Sequence, residues 1–250
     1  WAAHAVAHVL EMQNRADEGV DWLSGLSGGW DEKNQIVHHA WWHRCLFHLE
    51  RGESDEVFEL FSQEVRNPDS PRDKQAPEAY VDVQNTASLL MRMELAGFEV
   101  GDRWSGLVPL AESRLEDHTS PFTSIHALII LAKSGMLEKV RTMIGNMLAF
   151  SDLDQGPIGN TYRQVVVPAA EAVLAFVEDQ PKQVLERLMP IRFLLYRMGG
   201  SHAQRDLFWQ VMTRTALQLE DRALLGQLHS EIRDFGFSMM EHRRAYAGVF

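Results

Sequence analysis

Apolar residues fall along this chain in pairs of helical segments, and the pairs resemble one another. In each pair an apolar anchor ends a first helix and a short polar or glycine turn follows. A second helix then places apolar residues about eight and eleven positions further on. Met12 leads to Val20 and Leu23, and Leu49 to Val57 and Leu60. Ala132 leads to Val140 and Met143, Phe176 to Val184 and Leu188, and Leu217 to Leu225 and Leu228. The third pair is looser, with Met93 leading to Gly101 and Trp104. The anchors recur every 37 to 44 residues. One hairpin cannot bury its apolar face alone, so a repeat of this period predicts hairpins that stack on their neighbours. Runs with strand alternation are absent. The expectation is an all-α chain: twelve helices in six hairpins, wound as a right-handed α-solenoid over a single domain, 1–250.

The connections fit this pattern. Asn67-Pro68-Asp69-Ser70-Pro71 through Pro77 cannot continue a helix and predicts a long loop. Ser151 to Asn160, with Gly156, Pro157 and Gly159, predicts another. Ser201 stands three residues before Gln204, the spacing of a capping box, just after Gly199-Gly200. Pro168 interrupts an apolar run and should kink a helix or mark its first turn. The chain starts with Trp1 rather than Met, within a helical pattern, so the natural amino terminus is expected to lie upstream.

Charge excludes one class of partner. Lys and Arg number 24 against 35 Asp and Glu, a net charge of −11, and the arginines are scattered rather than clustered. Such a surface repels phosphate backbones, so no nucleic acid is expected. The most apolar stretch, near Val165 to Val177, is short and broken by Pro168 and Glu171, so no membrane partner is expected either. The single cysteine, Cys45, cannot form an internal disulfide; it suits a cytoplasmic setting and reads as a buried, inert thiol.

Histidine is the unusual residue, with eleven in the chain. His4, His8 and Glu11 stand at i, i+4 and i+7, within roughly 60° of one another on a helix. His39, His43 and Glu50 repeat the theme at i, i+4 and i+11. The fifth helix carries Asp82, Asn85 and Arg92 on one side, and the seventh carries His126. His43 and His126 both precede their anchors by six residues, so equivalent helices should turn them to one surface. The expectation is a His- and Arg-lined concave groove that binds a small polar or anionic ligand, or a peptide. Its residues are His4, His8, Glu11, His39, Trp42, His43, Asp82, Arg92, His126, Ser201, His202 and Arg205. Arg92, Arg205 and the helix start at Ser201 would hold a carboxylate or phosphate, and Trp42 would supply a stacking wall.

The two facing pairs permit a second reading. His4, His8, His39 and His43 with Glu11 could hold a divalent metal such as zinc, although the zinc-protease signature His-Glu-x-x-His is missing. That would make the chain a hydrolase or lyase; without metal, His8 and Glu11 could act as a general base. No motif calls for any other cofactor. A third reading is a structural scaffold for protein–protein contacts, including self-association as a homo-oligomer.

Several runs resemble the tetratricopeptide repeat protein 38 family. They are His4-Ala5-Val6-Ala7-His8-Val9-Leu10-Glu11-Met12 with Glu18-Gly19 and Trp22-Leu23; Trp42-His43 with Leu49-Glu50; and Ser88-Leu89-Leu90 through Arg92-Met93-Glu94-Leu95 with Gly101-Asp102-Arg103-Trp104. His126-Ala127 and Gly199 through Asp206 extend the likeness over most of the chain. The resemblance implies a tetratricopeptide-like helical superhelix, found in the cytosol, with no assigned activity. It also implies a longer amino end than this chain has. The period exceeds the generic tetratricopeptide length of about 34 residues, and the Trp, Gly and Tyr positions of that consensus are mostly unfilled.

Overall fold

The computed structural model describes residues 2–30, 36–235 and 240–249. Trp1, which the sequence pattern includes in the first helix, lies outside the described residues. Among the described residues all regular structure is helical, and no helix is long and apolar enough to cross a membrane.

The chain divides into two compact units. The first comprises residues 1–99 and 229–250, and the second residues 100–228. The first contains α1 (Ala2–Met12), α2 (Ala16–Ser27), α3 (Ile36–Arg51), α4 (Ser54–Leu60), α5 (Pro71–Gln75) and α6 (Tyr80–Leu95). The second contains α7 (Val108–Glu112), α8 (Pro121–Lys133), α9 (Leu137–Leu153), α10 (Pro157–Thr161), α11 (Val167–Val177), α12 (Pro181–Leu188) and α13 (His202–Gln218). The last long helix, α14 (Arg222–Asp234), runs across the boundary at Leu228.

Each anchor lies in the last turn of a first helix: α1, α3, α6, α8, α11 and α13. All six of these helices end in the same way. One or two positions past the helix end stands a residue with positive φ: Asn14 (55°), Gly52 (75°), Gly97 (89°), Gly135 (73°), Asp179 (54°) and Glu220 (55°). The next N–H reaches back to a carbonyl five residues earlier, as from Arg15 to Leu10, Glu53 to His48, Phe98 to Met93 and Met136 to Leu131. Gln180 to Ala175 and Asp221 to Ala216 complete the set. The positive-φ residue itself donates to the carbonyl three before it, as Gly52 does to Leu49. This is the Schellman turn, which satisfies helix-end carbonyls and reverses the chain.

The second elements bury most of the residues that the spacing picks out, with Val20 only partly covered. Leu23, Val57, Val140, Met143 and Val184 have no exposed surface, and Leu188 and Leu228 have almost none. The loose third pair has a physical cause: a 3-10 helix over Gly101–Leu107 replaces the α-helix, although Trp104 is still buried. The stretch from Asn67 to Pro77 is less of a loop than its prolines suggest. Pro71 opens the short α5, capped by the Ser70 side chain accepting from the Asp73 N–H. The stretch from 151 to 160 is likewise partly helical, with α9 reaching Leu153 and α10 starting at Pro157. Pro168 stands in the first turn of α11, after a π-helical turn over Tyr162–Val166. The capping box is present: Gln204 N–H donates to Ser201 Oγ at 3.3 Å, and Ser201 N–H donates to Gln204 Oε1 at 2.9 Å.

The helices that position the site form a tight group in the first unit. α1 packs on α2 and α3, α2 on α3, and α3 on α6. Ala7, Leu10, Leu23 and Phe47 form a buried cluster where the first three meet. Gly19 makes that approach possible, because a Cβ there would stand 2.5 Å from the Phe47 ring. The α1–α3 contact is what brings the two histidine pairs face to face.

Candidate metal centre

His4 and His8 lie one turn apart on α1, and His39 and His43 one turn apart on α3. Helical geometry puts each pair on one face. Each of the four residues offers one ring nitrogen to a set whose members all lie within 4.8 Å of one another. The rings touch across the helix interface, with centroids 4.7 Å apart for His4 and His39 and 4.5 Å for His8 and His43. Within α1, His4 Nε2 and His8 Nε2 are 2.9 Å apart.

Burial is uneven across the cluster. His43 is fully buried and His39 nearly so, whereas His4 and His8 are partly exposed. Burial drives the ionisation of His39 down to about 2, with further opposition from the neighbouring imidazoles. Burial also holds His43 well below its ordinary value, and lowers His4. The two inner rings are therefore neutral at physiological pH, the form in which imidazole binds metals.

The inner rings are also oriented from behind. His43 Nδ1 lies 3.0 Å from Glu11 Oε2, so a proton on Nδ1 is donated to the carboxylate. His43 Nε2 is then unprotonated, and it is buried without a hydrogen-bond partner. His39 Nδ1 meets the Asn85 side-chain amide, 3.3 Å from Oδ1 and 3.0 Å from Nδ2. At the shorter contact Asn85 Nδ2 donates to Nδ1 and the His39 proton sits on Nε2; with the proton on Nδ1, His39 instead donates to Oδ1 and keeps Nε2 as a ligand atom. Trp42 stacks flat on His39, centroids 5.1 Å apart and planes 12° apart, and Arg92 lies 5.7 Å from the Trp42 ring centroid.

This donor set fits a divalent transition metal. Zinc–imidazole bonds of about 2.0–2.1 Å in a tetrahedron need nitrogens roughly 3.4 Å apart. Four imidazoles without a thiolate suit zinc, copper, iron or nickel rather than magnesium or calcium. A ligand histidine whose other nitrogen is held by a carboxylate or amide is the usual outer-shell arrangement.

The remaining residues expected in the site have other settings. Trp42 has no exposed surface and backs His39. Arg92 is buried and donates through Nη1 to the Ser88 carbonyl at 3.3 Å and to Ser88 Oγ. Asp82 accepts from Arg72 Nη2 at 2.6 Å. Glu50, in line with His39 and His43, pairs with Arg243 at 3.2 Å. In the second unit, His126 is buried and its Nδ1 donates to the Phe122 carbonyl at 2.8 Å. Ser201 caps α13, His202 is exposed, and Arg205 is buried, donating to the Gly199 carbonyl at 3.3 Å and to that of Gly200. These bonds use Arg205 to close its own helix start. Asn85 is the residue whose role the sequence left open; its place beside Asp82 and Arg92 on α6 was the available signal. Cys45 is buried and its thiol is pushed far up by burial, so it stays protonated.

No protein-family model matches this chain, and no solved structure matches it.

Proposed function

We propose that this protein binds one divalent transition-metal ion, with zinc the first candidate, through His4, His8, His39 and His43. The observation that carries this reading is four imidazoles in mutual reach, with the buried His43 Nε2 lacking any partner. An orphaned buried nitrogen is costly, and a metal would satisfy it. Glu11 and Asn85 would fix the inner ligands, and the Glu11 charge would offset part of the ion's own.

The partly exposed His4 and His8 leave the α1 side of the centre within reach of solvent. A tetrahedral ion held by all four imidazoles has no open position, so the hydrolase or lyase reading requires one of the partly exposed pair, His4 or His8, to give way to water; with all four bound, the centre is a structural one. A small anion held by Arg92 and Arg205 has less support, since both guanidinium groups donate to nearby groups of their own helices or helix starts. The six Schellman turns support the wider reading of a repeated helical hairpin; the right-handed solenoid of the tetratricopeptide repeat protein 38 kind and a cytoplasmic setting rest on the sequence alone.

Calorimetric titration of zinc into metal-free protein without a histidine tag tests this proposal. One equivalent should bind, and His43→Ala should remove the binding. Absence of saturable zinc binding, or unaltered binding by His43→Ala, would overturn it.

A further inference from the structure

Away from the histidine cluster, the first unit contains a cavity of about 470 Å³. Trp30 and Trp41 line it and meet edge to face, their ring centroids 4.6 Å apart. His38 and Arg72 line it as well. Both carry a buried nitrogen without a hydrogen-bond partner, Nδ1 of His38 and Nη1 of Arg72. Arg72 spends its other terminal nitrogen on Asp82, 2.6 Å from Oδ2. Asp82 Oδ1 stands 3.7 Å from His38 Nδ1, beyond hydrogen-bond reach. His38 is 8% exposed, so solvent hardly compensates it. Unmet polar nitrogens beside an aromatic wall are the marks of a small-molecule site: an apolar surface for the body and a few polar groups for orientation.

Charge narrows the ligand. The Arg72 guanidinium is already balanced by Asp82. Glu64 stands at the cavity, Asp69 beside it is paired with Lys74 at 3.4 Å, and the chain as a whole carries −11. An anion would meet repulsion there, while the indole faces favour a flat π surface. We propose that this cavity binds a flat, uncharged heteroaromatic molecule, its body against Trp30 and Trp41 and its carbonyl or ring-nitrogen acceptor taken by Arg72. None of these residues belongs to the histidine cluster, so the two sites stand or fall separately.

Nicotinamide and nicotinate are matched probes, alike in shape and differing in charge, and adenine offers ring-nitrogen acceptors. Each is titrated into metal-free protein while the indole N–H resonances of Trp30 and Trp41 are followed by NMR. Nicotinamide or adenine should shift both resonances saturably, with nicotinate at least roughly tenfold weaker. Gln63 is an exposed residue lining the cavity, so Gln63→Trp should fill it without disturbing the core and abolish the shifts. The proposal is overturned if no probe saturates up to its solubility limit. It is equally overturned if nicotinate binds as well as nicotinamide, or if Gln63→Trp binds unchanged.

Discussion

Glu11 on α1 and His43 on α3 are 32 residues apart in sequence, yet Glu11 Oε2 lies 3.0 Å from His43 Nδ1 in a contact that solvent hardly reaches. The carboxylate thus selects one tautomer of the most deeply buried imidazole and leaves Nε2 as its only ligand atom. A structural ion pair would need a protonated ring, which burial opposes in His43. A neutral ring that donates from Nδ1 to the carboxylate is the arrangement the proposed metal centre requires of His43.

Replacing the carboxylate should therefore weaken metal binding without abolishing it. Glu11→Gln keeps an oxygen acceptor but loses the charge, and zinc affinity should fall by about 10- to 100-fold. Calorimetry on the variant checks this. An unchanged affinity would mean that Glu11 does not act through His43.

The metal-free protein should lose stability in mild acid. His39 titrates at about 2 in the folded state against 6.5 as the reference, and His43 is displaced in the same direction. The unfolded chain therefore binds more protons below pH 6.5. The stability contributed by the neutral rings is fully present above that pH and is lost as pH falls below it. Each ring should contribute a slope of about 1.4 kcal/mol per pH unit there. Urea unfolding between pH 7 and pH 5 measures it, and His39→Phe should flatten the dependence.

Three of the six Schellman turns place a residue other than glycine at positive φ. Among these, Glu220 has an exposed side chain, so its conformation is strained without a compensating burial. Glu220→Gly should raise stability by about 0.5–1 kcal/mol, offset in part by the greater freedom of glycine in the unfolded chain. A thermal or urea melt that shows a loss of stability instead would mean that the Glu220 side chain supports the turn.

The repeat was legible in the sequence because burial selects the same offsets after each anchor, as Val57, Val140 and Val184 show. The histidine pairs were legible too, since i and i+4 share a helix face whatever the helix packs against. Their meeting depends on α1 touching α3 in a group that α2 completes, and close approaches within it, such as Gly19 of α2 on Phe47 of α3, are encoded by no periodicity. The same gap hid the Asn85 contact with His39. Arg92 and Arg205 looked like free anion ligands because the sequence shows a charge and not the carbonyls around it. Asn14, Asp179 and Glu220 did not announce their left-handed turns, since only glycine marks that conformation plainly.

X-ray absorption at the zinc edge, on zinc-loaded protein without a tag, bears most directly on the histidine cluster as a metal centre. It should show about four nitrogen ligands at roughly 2.0–2.1 Å, the outer-shell scattering of imidazole, and no sulfur. A shell dominated by oxygen, with one imidazole or none, would place the zinc elsewhere and contradict the account.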